Sequence, residues 1–179
     1  MSHRISLEEL GDRICILGPS NSGKSTLANA IARKRDLCPI HLDQLHHLPN
    51  TDWQPRPRDE FIALHDDAIA GPRWVMDGNY SVSMPQRFQR ATGLILLDIS
   101  TSASLLRYFR RTLFETARLG ALEGGQDSVK WDMIHHIAVV TPRNRERYRL
   151  MFDRIDLPKV QLPSVRAIKE SFLEWGLAR

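Results

Sequence analysis

Gly18-Pro19-Ser20-Asn21-Ser22-Gly23-Lys24-Ser25-Thr26 fits the pattern G-x-x-x-x-G-K-[ST], and its reading decides the fold. Gly18 and Gly23 let the backbone curl closely around an anion with its N–H groups turned inward. Lys24 can reach the β- and γ-phosphates, and the Ser25 hydroxyl is a hard oxygen ligand suited to Mg²⁺. A helix starting here adds its N-terminal dipole to the same anion site. Before the loop, Arg13-Ile14-Cys15-Ile16-Leu17 is a short apolar run that reads as a buried strand. After it, Leu27, Ala28, Ile31 and Ala32 fall at helical spacing up to Arg33-Lys34-Arg35. Strand, glycine loop and helix are what phosphate binding needs, so the competing reading of an ordinary Gly/Ser turn is set aside. The chain is expected to bind a nucleoside triphosphate.

The bulk properties are consistent with that. At 179 residues, with 42% hydrophobic and 26% charged content, one globular domain over 1–179 is expected. No apolar run approaches a membrane span, and Met1-Ser2-His3-Arg4 lacks the apolar core of a signal peptide. A cytoplasmic protein is therefore expected, with Cys15 and Cys38 as buried free thiols. The net charge of +4 suits nucleic acid and phosphorylated small molecules equally.

Further along, Pro39-Ile40-His41-Leu42 reads as a second strand ending at Asp43. The Pro-rich stretch from Leu48 to Pro57 is a long loop. Asp59 is placed to cap the next helix, whose Phe61, Leu64, Ala68 and Ile69 share a face, and Gly71-Pro72 stops it. Trp74-Val75-Met76 is a third strand leading into Asp77-Gly78-Asn79-Tyr80. A short helix around Pro85 to Arg90 precedes Leu94-Ile95-Leu96-Leu97, a fourth strand ending at Asp98. An arginine-rich amphipathic helix spans about 102–119, followed by a Gly-rich flexible loop over 120–127. Helix resumes near Trp131, is interrupted at Thr141-Pro142 and runs to about Ile155. Val160-Gln161-Leu162 is a fifth strand, and Ser164 caps a closing helix. Strands alternating with helices, each strand nearly all apolar, imply a parallel sheet covered on both faces. The expectation is an α/β three-layer sandwich of the P-loop NTPase type, with five parallel strands and a short lid over about 108–147. In such sheets ligands gather at the carboxyl ends of the strands, where the glycine loop, Asp43, Asp77 and Asp98 all fall.

Phosphoryl transfer needs a metal, a positioned nucleophile and cations for the transition state. Asp77 is the choice for the carboxylate that holds Mg²⁺ with Ser25, directly or through water, because Gly78 beside it permits close approach. Asp43 is placed to accept the proton of an acceptor hydroxyl or to hydrogen-bond it, with capping of the next turn as the alternative. His41, His46 and His47, like His135-His136, match no metal spacing, and a zinc site is rejected. Arg107, Arg110, Arg111 and Arg118 precede the Gly-rich loop, and Arg143, Arg145, Arg147, Arg149 and Arg154 follow it. Two solvated helix faces would explain them, but a lid that swings guanidinium groups onto the triphosphate is favoured.

The glycine loop, the strand ending Asp77-Gly78 and the arginine helix together resemble the adenylate-kinase-type nucleotide kinases. By that resemblance Asp77 organises the Mg²⁺ shell, Arg107 packs on the adenine of ATP, Arg111 contacts its phosphates, and one or more of Arg143, Arg145 and Arg147 joins them from beyond the lid. His41-Leu42-Asp43-Gln44-Leu45-His46, Trp53, Asp77-Gly78-Asn79-Tyr80 and the region 157–173 are more similar to an adenylate-kinase-related bacterial branch labelled "topology modulation" proteins. The departures bear on the acceptor. A Thr-Gly segment and an arginine bind AMP in true adenylate kinases, whereas this chain has Asp43, His46, His47 and the Pro-rich loop. That acidic residue looks more like kinases of hydroxylated small molecules, such as nucleoside, shikimate or gluconate kinases.

The resulting expectation is a monomeric or homodimeric kinase using ATP and Mg²⁺. Lys24, Asp43, Arg111, Arg143 and Arg147 would carry the transfer; residues 18–26 with Arg107 and Arg111 would hold ATP; and Asp43, His46, Trp53, Asp77, Gly78, Asn79 and Tyr80 would line the acceptor side. The alternative is a nucleotide-dependent DNA-binding or regulatory protein, or a plain NTPase switch. No helix-turn-helix, zinc-finger or aromatic-studded basic strand supports the nucleic-acid reading.

Overall fold

The strand that feeds the glycine loop, β1 (Arg13–Leu17), occupies the centre of a five-stranded sheet. The architecture is that of a computed structural model, which describes residues 5–114, 131 and 136–178. With β2 (Cys38–His41), β3 (Trp74–Asp77), β4 (Gly93–Leu97) and β5 (Lys159–Leu162), the order is β2-β3-β1-β4-β5 and every pairing is parallel. Between the strands lie α1 (Lys24–Arg35), α2 (Leu42–His46), α3 (Arg58–Ala70), α4 (Met84–Arg90), α5 (Thr101–Phe114) and α6 (Thr141–Arg154), with α7 (Val165–Glu174) closing the chain.

The side-chain alternation of β1 separates two cores. Ile14 and Ile16 pack with Leu27, Ile31, Ile168 and Phe172 under α1 and α7. Cys15 and Leu17 pack with Phe61, Met84 and Phe152 under α3, α4 and α6. Each of these large apolar side chains contributes roughly 1.5–3 kcal/mol by leaving water. The result is the three-layer α/β sandwich expected of a parallel sheet with both faces covered.

Several local expectations are corrected. The second strand ends at His41 rather than Leu42, and Asp43 lies in the first turn of α2. Leu42 turns inward beneath Gly78, where an added Cβ would lie 2.7 Å from the Leu42 Cβ. Helix α3 starts at Arg58 after Pro57, so Asp59 sits inside its first turn instead of capping it. Its buried row is Phe61, His65 and Ile69, one residue per turn, while Leu64 is exposed. Cys15 is buried as expected, but Cys38 begins an edge strand and is exposed. Helix α6 starts at Thr141 itself, directly after a π-helical turn at His136–Val140. Helix α5 is described to Phe114, and the Gly-rich loop over 120–127 lies outside the described residues. The Ser164 cap is present, its Oγ accepting from the Ala167 N–H at 3.0 Å.

His65 gives the fold a titratable core position. Its Nδ1 is 2.9 Å from the Asp66 carboxylate, and its Nε2 is buried with no partner among the described residues. Burial lowers its pKa, against the smaller opposing pull of Asp66. The unfolded chain therefore takes up a proton that the fold resists. This contribution to stability is complete above the ordinary imidazole value of about 6.5 and is lost as pH falls below it. Thermal unfolding at pH 7.5 and 5.5 should show a drop in the wild type that is smaller in His65→Leu; equal drops would contradict the assignment.

Candidate functional site

The phosphate loop is held open by contacts that depend on its first glycine. Gly18 has φ 147°, and a Cβ there would lie 2.5 Å from the Leu97 carbonyl oxygen. The Asn79 side chain grips this residue on both sides. The Gly18 N–H donates to Asn79 Oδ1 at 3.1 Å, and Asn79 Nδ2 donates to the Gly18 carbonyl at 2.7 Å. Gly23, at φ 96°, caps α1, so the helix begins at Lys24 with its dipole aimed at the loop. Lys24 Nζ donates to the carbonyls of Gly18 and Pro19 at 3.0 and 2.9 Å. The Ser22 N–H donates to Pro19 O at 3.2 Å, while Ser20 is half-buried and Thr26 exposed.

Sheet register builds the carboxylate part of the site. His41 and Asp77 are direct neighbours across β2 and β3, and Ile16 stands opposite Asp77 on β1. Asp77 Oδ2 accepts from the Ser25 hydroxyl at 2.7 Å, and its Oδ1 lies 2.6 Å from His41 Nδ1. His41 Nε2 is 3.0 Å from Asn29 Nδ2, whose amide also donates to the Ser25 carbonyl at 2.9 Å. A hydroxyl and a carboxylate side by side at the start of α1 are hard oxygen donors of the kind Mg²⁺ takes together with waters and phosphates. Ser25 and Asp77 thus fit the ion.

The next residue pair links this centre to a second carboxylate. Tyr80 Oη donates to Asp43 Oδ1 at 2.7 Å. Burial raises the Tyr80 pKa first, and the nearby charges of Asp43 and Asp77 raise it further, so the phenol keeps its proton. His46 stacks on the Tyr80 ring at 4.4 Å and meets Phe61 edge-on at 5.0 Å. Its pKa is lowered, mainly by burial and then by His47. Trp53, at φ 59°, lies edge-on to His47 at 5.2 Å. A His47–Pro55 bridge folds the Pro-rich stretch back, which places Trp53 against the residue that ends α2.

The arginines divide between three places. Arg107 donates from Nε to the Asn21 carbonyl at 3.0 Å, and one of its terminal nitrogens lies against Gly23, so α5 touches the phosphate loop. Arg145 and Arg149 of α6 both donate to Asp98, which is 1% exposed and also accepts from Gln161 at 2.8 Å. Arg147 is exposed, and the side chains of Arg111 and Arg143 lie outside the described residues. Arg87, which sequence reasoning passed over, is fully buried. It donates to the carbonyls of Gly78 at 3.0 Å and Tyr80 at 3.4 Å, supporting the turn after β3 from below. Burial lowers its pKa, while Cys15, Tyr148 and Asp77 oppose that shift. Asn29 and the Asp77 partnership of His41 were also missed. The only signal for His41 was its position at a strand end, and for Arg87 and Asn29 there was none.

The sheet order and glycine loop define an α/β fold of the P-loop type, a five-stranded parallel sheet with helices on both faces. Among solved structures, a gluconokinase from Sinorhizobium meliloti 1021 is similar over 94% of this chain and 93% of its own, at TM-score 0.50 and 17% identity. A shikimate kinase from Aquifex aeolicus is similar over 92% of this chain and 96% of its own, at TM-score 0.50 and 18% identity. Likeness at this identity is likeness of fold. Neither a protein-family model nor a curated protein matches the sequence.

Proposed function

We propose that this chain is a P-loop phosphotransferase that moves the γ-phosphoryl group of ATP to a hydroxyl of a small acceptor. The observation that carries the reading is the Asn79–Tyr80 pair. Asn79 is bonded to Gly18 of the phosphate loop, and Tyr80, the next residue, is bonded to Asp43. One dipeptide therefore ties a second, exposed carboxylate to the anion site, an arrangement that a plain hydrolytic switch has no use for. In this reading residues 18–26 hold the phosphates, and Lys24 offsets charge on the transferring group. Ser25 and Asp77 hold Mg²⁺, which supplies further charge neutralisation on the phosphate oxygens. Asp43 receives or orients the acceptor hydroxyl through the oxygen that Tyr80 leaves open, and His46, Trp53, Gly78 and Tyr80 shape that side. Arg107 acts from the helix that leads into a lid over about 108–147, and Arg111, Arg143 and Arg147 act from that lid.

The sequence resemblance to the adenylate-kinase-related "topology modulation" branch supports the class. The acceptors named for the two fold neighbours, gluconate and shikimate, support a hydroxylated acceptor over AMP. A cytoplasmic monomer or homodimer is proposed.

ADP release measured across nucleoside monophosphates, nucleosides, sugar acids and cyclic polyol acids tests this reading. One acceptor class should raise the rate far above background. Asp43→Asn should then lower the acceptor-dependent rate about 10²–10⁴-fold, the usual worth of a positioned acid–base group. Tyr80→Phe should cost about tenfold, that of one hydrogen bond to a charged group. If every acceptor leaves only slow background hydrolysis, unchanged by Asp43→Asn, the kinase reading fails.

A further inference from the structure

We infer that His41 is a positioning residue for the metal carboxylate, fixing which oxygen of Asp77 faces the ion; the inference rests on the assignment of Ser25 and Asp77 above. Asn29 sets the direction of these hydrogen bonds. Its Nδ2 faces the Ser25 carbonyl at 2.9 Å, and a carbonyl accepts only from a donor, so the amide orientation is settled. The same NH₂ group faces His41 Nε2 at 3.0 Å, so that ring nitrogen is the acceptor. The ring proton therefore sits on Nδ1 and is donated to Asp77 Oδ1 at 2.6 Å. Asp77 Oδ2 is left to take the Ser25 hydroxyl at 2.7 Å.

The contacts form a closed circuit that leaves Ser25 by its carbonyl and returns to it by its hydroxyl. The circuit joins α1, β2 and β3, and two of its members are nearly closed to solvent, His41 at 9% and Asp77 at 5% exposed. A carboxylate bonded to Ser25 alone would rotate about its terminal torsion, which is soft. Held by His41, it presents Oδ2 toward the start of α1 and keeps doing so when the Ser25 oxygen engages a metal. Partners of this kind orient ligands, and losing one costs about 10–100-fold in metal affinity. A merely space-filling buried histidine would need neither the Nδ1 proton nor the Asn29 amide on the far nitrogen.

The test is equilibrium binding of a fluorescent ATP analogue in EDTA and across Mg²⁺ concentrations, with Mn²⁺ uptake in the presence of nucleotide followed by electron paramagnetic resonance. His41→Asn keeps an amide donor near the Nδ1 position, His41→Gln moves it toward Nε2, and His41→Phe removes it. Phe and Gln should raise the metal midpoint about tenfold or more, while metal-free nucleotide affinity stays within about twofold. Asn should recover most of the loss, and the Asn/Gln contrast remains readable if His41→Phe folds poorly. Equal midpoints in wild type, His41→Gln and His41→Asn would overturn the inference. So would equal losses with and without metal, which would mark general loosening of the loop. A wild type whose nucleotide binding ignores Mg²⁺ would instead sink the Ser25–Asp77 assignment, and the His41 role with it.

Discussion

Replacing Lys24 with Ala is expected to lower Mg²⁺-dependent ADP release by about 10³-fold, the scale on which single preorganised charge-stabilising donors act. The ammonium group is held by the Gly18 and Pro19 carbonyls at 3.0 and 2.9 Å, so it stands at the loop mouth before any ligand arrives. Preorganisation of this kind removes the cost of moving a charge into place during transfer. Lys24→Arg should restore little. Two carbonyls converging on one nitrogen suit a compact ammonium, and a planar guanidinium fork does not fit between them. The fold should tolerate both changes, because Lys24 lies at the start of α1 and packs in neither core. Steady-state kinetics beside thermal unfolding would check this. A Lys24→Ala protein within tenfold of wild-type turnover would remove the phosphate loop from the reaction.

The central part of this architecture could be read from the chain because its cause is local. The apolar run before Gly18, the helical spacing after it and the Ser164 cap each act within a few residues, and all appear as expected. The misreadings share a different origin. Asp43 belongs to a five-residue helix that exists because Leu42 tucks under Gly78, far away in sequence. Leu64 gave way to His65 on the buried row of α3, where the 61-65-69 spacing outweighed hydrophobicity. His41 became a partner of Asp77 only through the pairing of β2 with β3. Asp98 looked like one more strand-end carboxylate, yet it is buried and bound by two arginines nearly fifty residues further on. Such partnerships depend on which strands become neighbours, and no short-range pattern carries that order.

Arg87 is the extreme case, and Arg87→Met is expected to destabilise the protein by about 2–4 kcal/mol, combining the loss of charge-assisted hydrogen bonds with the orphaning of a buried acceptor, the Gly78 carbonyl. In sequence it is one polar residue of a short helix; in the fold it is entirely enclosed. Two effects compete. Burial taxes the guanidinium, as its lowered pKa records, and its Nε has no partner among the described residues. A buried charge replaced by a hydrophobe of similar size can for that reason be neutral or stabilising. Against this, the Gly78 carbonyl would lose its donor in a place water does not readily reach, while the Tyr80 carbonyl would keep only its Ser83 donors. The second effect should win, because methionine removes the donor without offering another. For a chain of this size the melting temperature should fall by about 5–15 °C. Arg87→Lys should fall between, since one ammonium cannot span both carbonyls with the same geometry. The turn it supports carries Asp77, Asn79 and Tyr80, so nucleotide affinity should weaken alongside stability. An unchanged melting temperature in Arg87→Met would show that desolvation cancels the two bonds. Arg87 would then be a tolerated buried charge, and the turn would owe its shape to Gly78 and Asn79 alone.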